Sequence, residues 1–228
     1  MADHAPRPPA QPETGAPLTE ADDAAALEAG RVLFAGECRF AAAAGDRTRI
    51  PPGRVPEVAF AGRSNVGKSS LLNALTGRHA LARVSVTPGR TRELVFFDLA
   101  GRLTLVDMPG YGYAKAPQKL AREWQGLMLA YLRGRPQLRR VLLLLDARLA
   151  PKPVDEAVMA ILDTAAVTFQ LVLTKTDALA GTALATRIEA LARLARTHTA
   201  AYPEVLATSS RTGAGIAALR ATLATLAE

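Results

Sequence analysis

The sequence predicts an α/β sandwich built on a mostly parallel sheet. Short apolar runs of strand length alternate with segments whose apolar residues recur at helical spacing. Segments rich in Gly, Ser, Thr and Asp fall directly after those runs, where parallel sheets gather their ligand-binding loops.

Residues 1 to about 20 are rich in Ala, Pro and polar groups without an apolar period, so they are expected to be disordered. The domain boundary is set at residue 25: 1–24 form the tail and 25–228 a single domain. Residues 22–35 read as a short helix leading in. Val58-Ala59-Phe60-Ala61 is a buried strand that stops at Gly62, and Lys68 to Leu75 is a helix closed by Gly77. Leu94–Leu99 and Leu103–Val106 are strands joined by a turn at Ala100-Gly101. Gln118 to Leu132 is helical. Val141 to Leu145 is unbroken in its apolar character, as a central strand requires. A helix over Val154 to Ala165, a strand over Phe169 to Leu173, a helix over 183–198, a short strand at Val205 to Ala207 and a closing helix from Ile216 to Leu226 complete the pattern.

The composition limits the classes of function. No apolar run is long enough to span a bilayer, and the N-terminus lacks the basic start and apolar stretch of a signal peptide, so a cytoplasmic protein is expected. The single cysteine, Cys38, has no internal disulfide partner and reads as a buried, inert thiol. The formal charge is +7 and unevenly spread. Residues 1–30 hold one Arg against six acids, a balance of −5, while residues 31–228 hold 27 basic and 15 acidic groups, a balance of +12. A basic domain suits a polyanion such as RNA, or else carries a solubilising charge excess.

Four segments carry chemistry. Gly62-Arg63-Ser64-Asn65-Val66-Gly67-Lys68-Ser69 sits between a strand and a helix, as a phosphate-binding loop must. Its glycines let the backbone wrap phosphates and its N–H groups face them. Lys68 supplies a charge for the β- and γ-phosphates and Ser69 a hydroxyl for Mg²⁺. Asp107-Met108-Pro109-Gly110 ends a strand; its carboxylate can hold Mg²⁺ through water and the Gly110 N–H can meet a γ-phosphate. Thr174-Lys175-Thr176-Asp177 ends another strand. A carboxylate there accepts from the N1–H and exocyclic amine of guanine, a donor pair adenine lacks, and Lys175 would lay its stem over the base. Thr208-Ser209-Ser210 follows the last strand and would meet the guanine O6 through a backbone N–H.

Thr87-Pro88-Gly89-Arg90-Thr91 and Asp107-Met108-Pro109-Gly110-Tyr111-Gly112-Tyr113, together with the Thr174-Lys175-x-Asp177 variant, resemble the EngB/YihA/YsxC family of bacterial GTP-binding proteins. The resemblance implies a three-layer G domain of six or seven strands, mostly parallel, with helices on both faces. It implies a Mg²⁺-dependent GTPase of weak intrinsic turnover, acting as a monomer in large ribosomal subunit assembly, with division septum formation dependent on it. No DNA sequence specificity is expected. Lys68, Thr91 and Gly110 would be catalytic, and Ser69, Thr91 and Asp107 would hold the metal. The nucleotide-binding set then comprises Gly62, Arg63, Ser64, Asn65, Val66, Gly67, Lys68 and Ser69; Gly89, Arg90, Thr91, Arg92 and Glu93; Asp107, Met108, Pro109 and Gly110; Thr174, Lys175, Thr176 and Asp177; and Thr208, Ser209 and Ser210.

Two positions depart from commoner GTPases. Tyr111 stands where Ras-like enzymes carry the Gln that orients water, so slow hydrolysis is expected. Asn65 stands where several relatives use K⁺ beside the nucleotide; it serves either that ion or the loop itself. Tyr111, Tyr113 and Trp124 are either RNA-stacking or packing residues, and Arg90, Arg92, Lys115, Lys119 and Arg122 either contact rRNA or are solvated. His79 and His198 read as structural or exposed. A nucleotide-gated binding protein of the division machinery is the second reading and an ATP-using P-loop enzyme the third.

Overall fold

The computed structural model describes residues 20–78, 81, 93–112 and 118–228. Gly89, Arg90, Thr91, Arg92, Tyr113, Lys115 and His79 lie outside the described residues, as do the side chains of Lys119, Arg122 and Trp124. The elements run α1 (Glu20–Ala35), β1 (Cys38–Ala44), a 3₁₀ turn (Arg47–Arg49), β2 (Glu57–Gly62), α2 (Lys68–Thr76), β3 (Leu94–Leu99), β4 (Leu103–Asp107), α3 (Gln118–Arg133), β5 (Leu138–Asp146), α4 (Pro153–Thr164), β6 (Phe169–Thr174), a 3₁₀ turn (Thr176–Ala178), α5 (Gly181–Ala195), β7 (Leu206–Ala207) and α6 (Ile216–Thr225).

The seven strands form one sheet in the order β1-β3-β4-β2-β5-β6-β7. From β4 to β7 all neighbours are parallel; β3 is antiparallel to both β4 and β1. The expected mostly parallel α/β sheet is therefore present, with an antiparallel edge. Helices cover both faces because β2, β5 and β6 are buried on both sides. Val141, Leu143 and Leu145 of β5 face a core built with Met128, Tyr131 and Leu132 of α3, Met159 and Leu162 of α4, and Leu191 of α5. Leu142 and Leu144 face the other core, with Leu33 of α1, Leu71, Leu72 and Leu75 of α2, and Leu219 and Leu223 of α6. Each such leucine contributes about 1.5–3 kcal/mol by leaving water.

The periodicity missed β1. Its Ala42, Ala43 and Ala44 have poor strand propensity, and only the ladder to β3, Cys38↔Leu99 through Ala44↔Leu94, makes the segment a strand. β5 also begins three residues earlier than its apolar run, because Arg139 and Arg140 lie in the same extended segment. Cys38 is buried as expected, and burial pushes its thiol up to about 11.

Candidate functional site

β2 delivers its last residue, Gly62, into a loop that leads directly to α2. The loop turns on Asn65 at φ 65° and Gly67 at φ 108°; the latter is a backbone shape that side-chain-bearing residues rarely adopt. Its closing bond runs from Val66 N–H to the Arg63 carbonyl at 3.1 Å. α2 then opens at Lys68, so the unpaired N–H groups of its first turn and the positive end of its dipole lie at the loop.

β4 ends beside β2 and places Asp107 at the same edge. Asp107 is buried and ion-paired to Lys68 Nζ. Burial raises its carboxyl above the ordinary range, with the Lys68 ammonium pulling the other way. The hydroxyl of half-buried Ser69, one residue past Lys68, has no hydrogen-bond partner among the described residues. Met108 N–H bonds the Phe60 carbonyl at 3.0 Å, and Gly110 lies against Ser64. Pro109 stands between them, half-buried. Tyr111 closes the segment onto the loop: its N–H donates to the Gly62 carbonyl at 3.2 Å and its carbonyl accepts from Ser64 N–H at 3.1 Å.

β6 ends in the third segment. The Thr174 hydroxyl donates to the Val66 carbonyl at 2.6 Å, tying this segment to the phosphate loop. Lys175, at φ 58°, reaches back so that Nζ meets the Asn65 carbonyl at 2.7 Å and Asp146 Oδ2 at 2.9 Å. Thr176 N–H bonds the Thr208 carbonyl at 3.2 Å, which joins the third segment to the fourth. Asp177 Oδ1 accepts from the Ser209 hydroxyl at 2.5 Å and Oδ2 from Arg211 Nε at 2.6 Å. Those two bonds hold its carboxyl below the ordinary range. Thr208 is fixed to the Leu173 carbonyl by its N–H at 2.7 Å and hydroxyl at 2.8 Å, and half-buried Ser210 follows.

All four segments thus stand at one edge of one sheet. The phosphate loop with Lys68, Ser69 and Asp107 forms one end, and Asp177 with Ser209 the other, with Lys175 between them. Glu93 precedes β3 at the same end of the sheet as Asp107, with its side chain beside Gly45.

Three contributions escaped the sequence reading. Asp146, at the carboxyl end of β5, accepts from Arg148 and Lys175, and the Arg148 guanidinium first among them holds its carboxyl far below the ordinary range. Its position one residue past an apolar strand is the same signal that marked Asp107. Arg211 places on Asp177 an N–H donor of the kind a guanine edge offers. Tyr111 turns into the core, where its hydroxyl donates to Asp155 Oδ1 at 2.9 Å; Arg63 Nε lies 3.4 Å from Oδ2 of the same buried carboxylate. Burial raises the Tyr111 phenol well above its ordinary value. No spacing rule links residue 111 to residue 155.

A Gly-rich loop opening a helix, an acidic strand end beside its lysine, and a Lys-x-Asp strand end define the P-loop GTP-binding class. The pattern described as "50S ribosome-binding GTPase" matches residues 57–175. The "Probable GTP-binding protein EngB" of Granulibacter bethesdensis is 59% identical over 218 residues, 95% of this chain and 98% of that relative. Its namesake from Gluconobacter oxydans is 57% identical over 215 residues, 94% and 93% of the two chains. A crystal structure of a probable GTP-binding protein EngB shares the fold with a TM-score of 0.62, at 22% identity, over 75% of this chain and 98% of that one. The chain belongs to the EngB family of GTP-binding proteins.

Proposed function

We propose that this protein binds GTP and GDP with Mg²⁺ and hydrolyses GTP slowly to GDP and phosphate. It acts as a monomeric, cytoplasmic nucleotide switch in large ribosomal subunit assembly, with normal septation depending on that role. The observation that carries the nucleotide reading is the pairing of two ends on one sheet edge: the carboxylate of Asp177 at one, and Lys68, Ser69 and Asp107 at the other.

Asp177 reads the N1–H and exocyclic amine of the base, and the Thr208–Ser210 loop meets its O6. The stem of Lys175 lies across the base while its ammonium braces the phosphate loop through the Asn65 carbonyl. The N–H groups at the head of α2, from Gly67 to Ser69, and the Lys68 ammonium neutralise phosphate oxygens as charge shifts towards the leaving group. The buried Asp107 carboxylate, with Lys68 as its counter-charge, and the Ser69 hydroxyl, next in the chain to Lys68, fit a hard oxygen-ligated cation, with Thr91 as the third group. When bound, Mg²⁺ polarises the β- and γ-phosphate oxygens. The 107–111 segment, bonded to the phosphate loop through Tyr111, carries the Gly110 N–H assigned to the γ-phosphate, and its attachment to that loop makes it the switch segment. With the Tyr111 hydroxyl held by Asp155, no side-chain amide orients water from that position, which supports slow turnover. A K⁺ ion beside Asn65 would add charge there; equal rates in KCl and NaCl would dispose of it.

The test is co-sedimentation with large ribosomal subunits in GDP or a non-hydrolysable GTP analogue, comparing wild type with Asp177→Asn. We expect wild type to bind in a nucleotide-dependent, salt-sensitive way. Asp177→Asn should lose that dependence with GTP and regain it with a xanthine nucleotide, whose C2 carbonyl accepts the new amide donor. Equal affinity for guanine and adenine nucleotides would remove the switch reading. Nucleotide binding without association with subunits would leave the division-machinery partner instead.

A further inference from the structure

We propose that the sheet edge opposite the nucleotide site is a phosphate-binding face for RNA, centred on Arg133 and Arg139. The proposal rests on the ribosomal reading above and assigns it a surface. The parallel strands carry the nucleotide segments at their carboxyl ends, so their amino ends and the β3–β4 turn form the far edge. Six exposed arginines come to that edge: Arg54 before β2, Arg78 after α2, Arg102 in the β3–β4 turn, Arg133 closing α3, Arg139 in β5 and Arg196 after α5. Arg133 and Arg139 line an open groove between the ends of α3 and α4, with Ala165, Ala166 and Thr168 opposite.

None of the six is ion-paired to a carboxylate among the described residues. Several exposed arginines elsewhere are, among them Arg31 with Glu28 at 2.7 Å, Arg49 with Asp46 at 3.4 Å, Arg193 with Glu189 at 2.7 Å and Arg211 with Asp177 at 2.6 Å, although exposed Arg47, after β1, is not. Several carboxylates at the far edge are already engaged, Glu57 by Arg135 and Tyr131, Asp163 by His198 and the Ala200 N–H, and Asp98 by Arg39. Glu37, Glu204 and Glu228 remain against the six cations. Helix dipoles account for part of this: Arg78, Arg133 and Arg196 stand at helix C-termini, where a cation is favourable. They do not account for Arg54, Arg102 and Arg139, which stand in a loop, a turn and a strand.

RNA fits this face better than a lipid surface. Tyr202, 38% exposed, stands at this edge with its ring centroid 4.0 Å from the Arg140 guanidinium. A partly exposed ring held by a cation suits stacking with an unpaired base. Membrane attachment would require a row of apolar side chains to insert. Because the face lies across the sheet from the switch, it anchors RNA equally in the GDP and GTP states.

The experiment measures binding of the purified chain to a large-subunit rRNA transcript across a KCl series. The Arg133→Glu/Arg139→Glu protein should bind about tenfold more weakly, with the salt slope reduced by about one per arginine, in GDP and in a GTP analogue alike. Both side chains are exposed and remote from the nucleotide, so its GDP affinity should equal wild type. Arg193→Glu, on the outer surface of α5, should retain wild-type RNA affinity. Wild-type RNA binding by the double variant, or an equal loss in Arg193→Glu, overturns the face alone. A wild-type protein that binds GDP but no rRNA overturns the ribosomal reading and this proposal with it.

Discussion

At the scale of single residues, Thr174 shows how a departure from the usual motif is absorbed. Its hydroxyl reaches the Val66 carbonyl at 2.6 Å and the Leu145 carbonyl at 3.3 Å, both buried. Thr174→Val keeps the shape and strands the Val66 carbonyl. The expected cost is about 1–3 kcal/mol, read as a lower denaturant midpoint with unchanged m-value, and GDP affinity should fall with it because the phosphate loop loses its brace. Unchanged stability would mean that the loop holds itself. Cys38 offers a pH test. Its folded thiol titrates near 11 against an ordinary 9.0, so the native state holds the proton longer than the unfolded chain. That stabilisation is complete below about pH 9 and is lost as pH rises towards 11, so unfolding free energy measured across that window should fall more in wild type than in Cys38→Ala. A thiol reagent at pH 8 should label Cys38 only at the rate of opening. What could be read from the chain at this scale was the residue type at a strand end; Asp107 and Asp177 followed from it. Tyr111 could be recognised as unlike glutamine, but its partner Asp155 lies 44 positions away and only packing brings the two together.

At the scale of elements, legibility followed burial. β5 and β6, buried on both faces, announced themselves as unbroken apolar runs. β1 did not, because an edge strand needs little apolar content once its partner supplies the ladder. α1 was legible as a helix, but not its docking. It crosses α6 so closely that a Cβ at Gly30 would fall 2.5 Å from Ala221 N and 2.6 Å from the Arg220 carbonyl carbon. Two effects therefore oppose each other in Gly30→Ala. Helix propensity favours alanine by about 1 kcal/mol. Overpacking against backbone, which cannot rotate away, costs about 1–3 kcal/mol. The steric term should win, lowering the melting temperature and raising proteolysis within α1, while GDP affinity is retained because Gly30 meets α6 and none of the four nucleotide segments. A more stable Gly30→Ala protein would show that the two helices separate without penalty.

At the scale of the whole molecule, the nucleotide site is where the chain's distant parts meet. Segments at residues 62–69, 107–111, 174–177 and 208–211 are joined by the Ser64–Tyr111, Thr174–Val66, Lys175–Asn65, Thr176–Thr208 and Ser209–Asp177 bonds, which cross the sheet at its carboxyl edge. A nucleotide bound as proposed would touch loops from β2, β4, β6 and β7, so none of those strands could leave without releasing it. GDP with Mg²⁺ at a hundred times its dissociation constant should then stabilise the protein by about 2.7 kcal/mol. For a domain of this size that raises the melting temperature by roughly 5–10 °C. The whole transition should shift as one, and ADP at the same concentration should shift nothing, because adenine lacks the donor pair for Asp177. A transition that splits, with an early component indifferent to GDP, would place the β1–β3 edge outside the cooperative unit. Equal shifts with ADP and GDP would mean that the phosphate loop alone does the binding and that Asp177, held by Arg211, does not read the base.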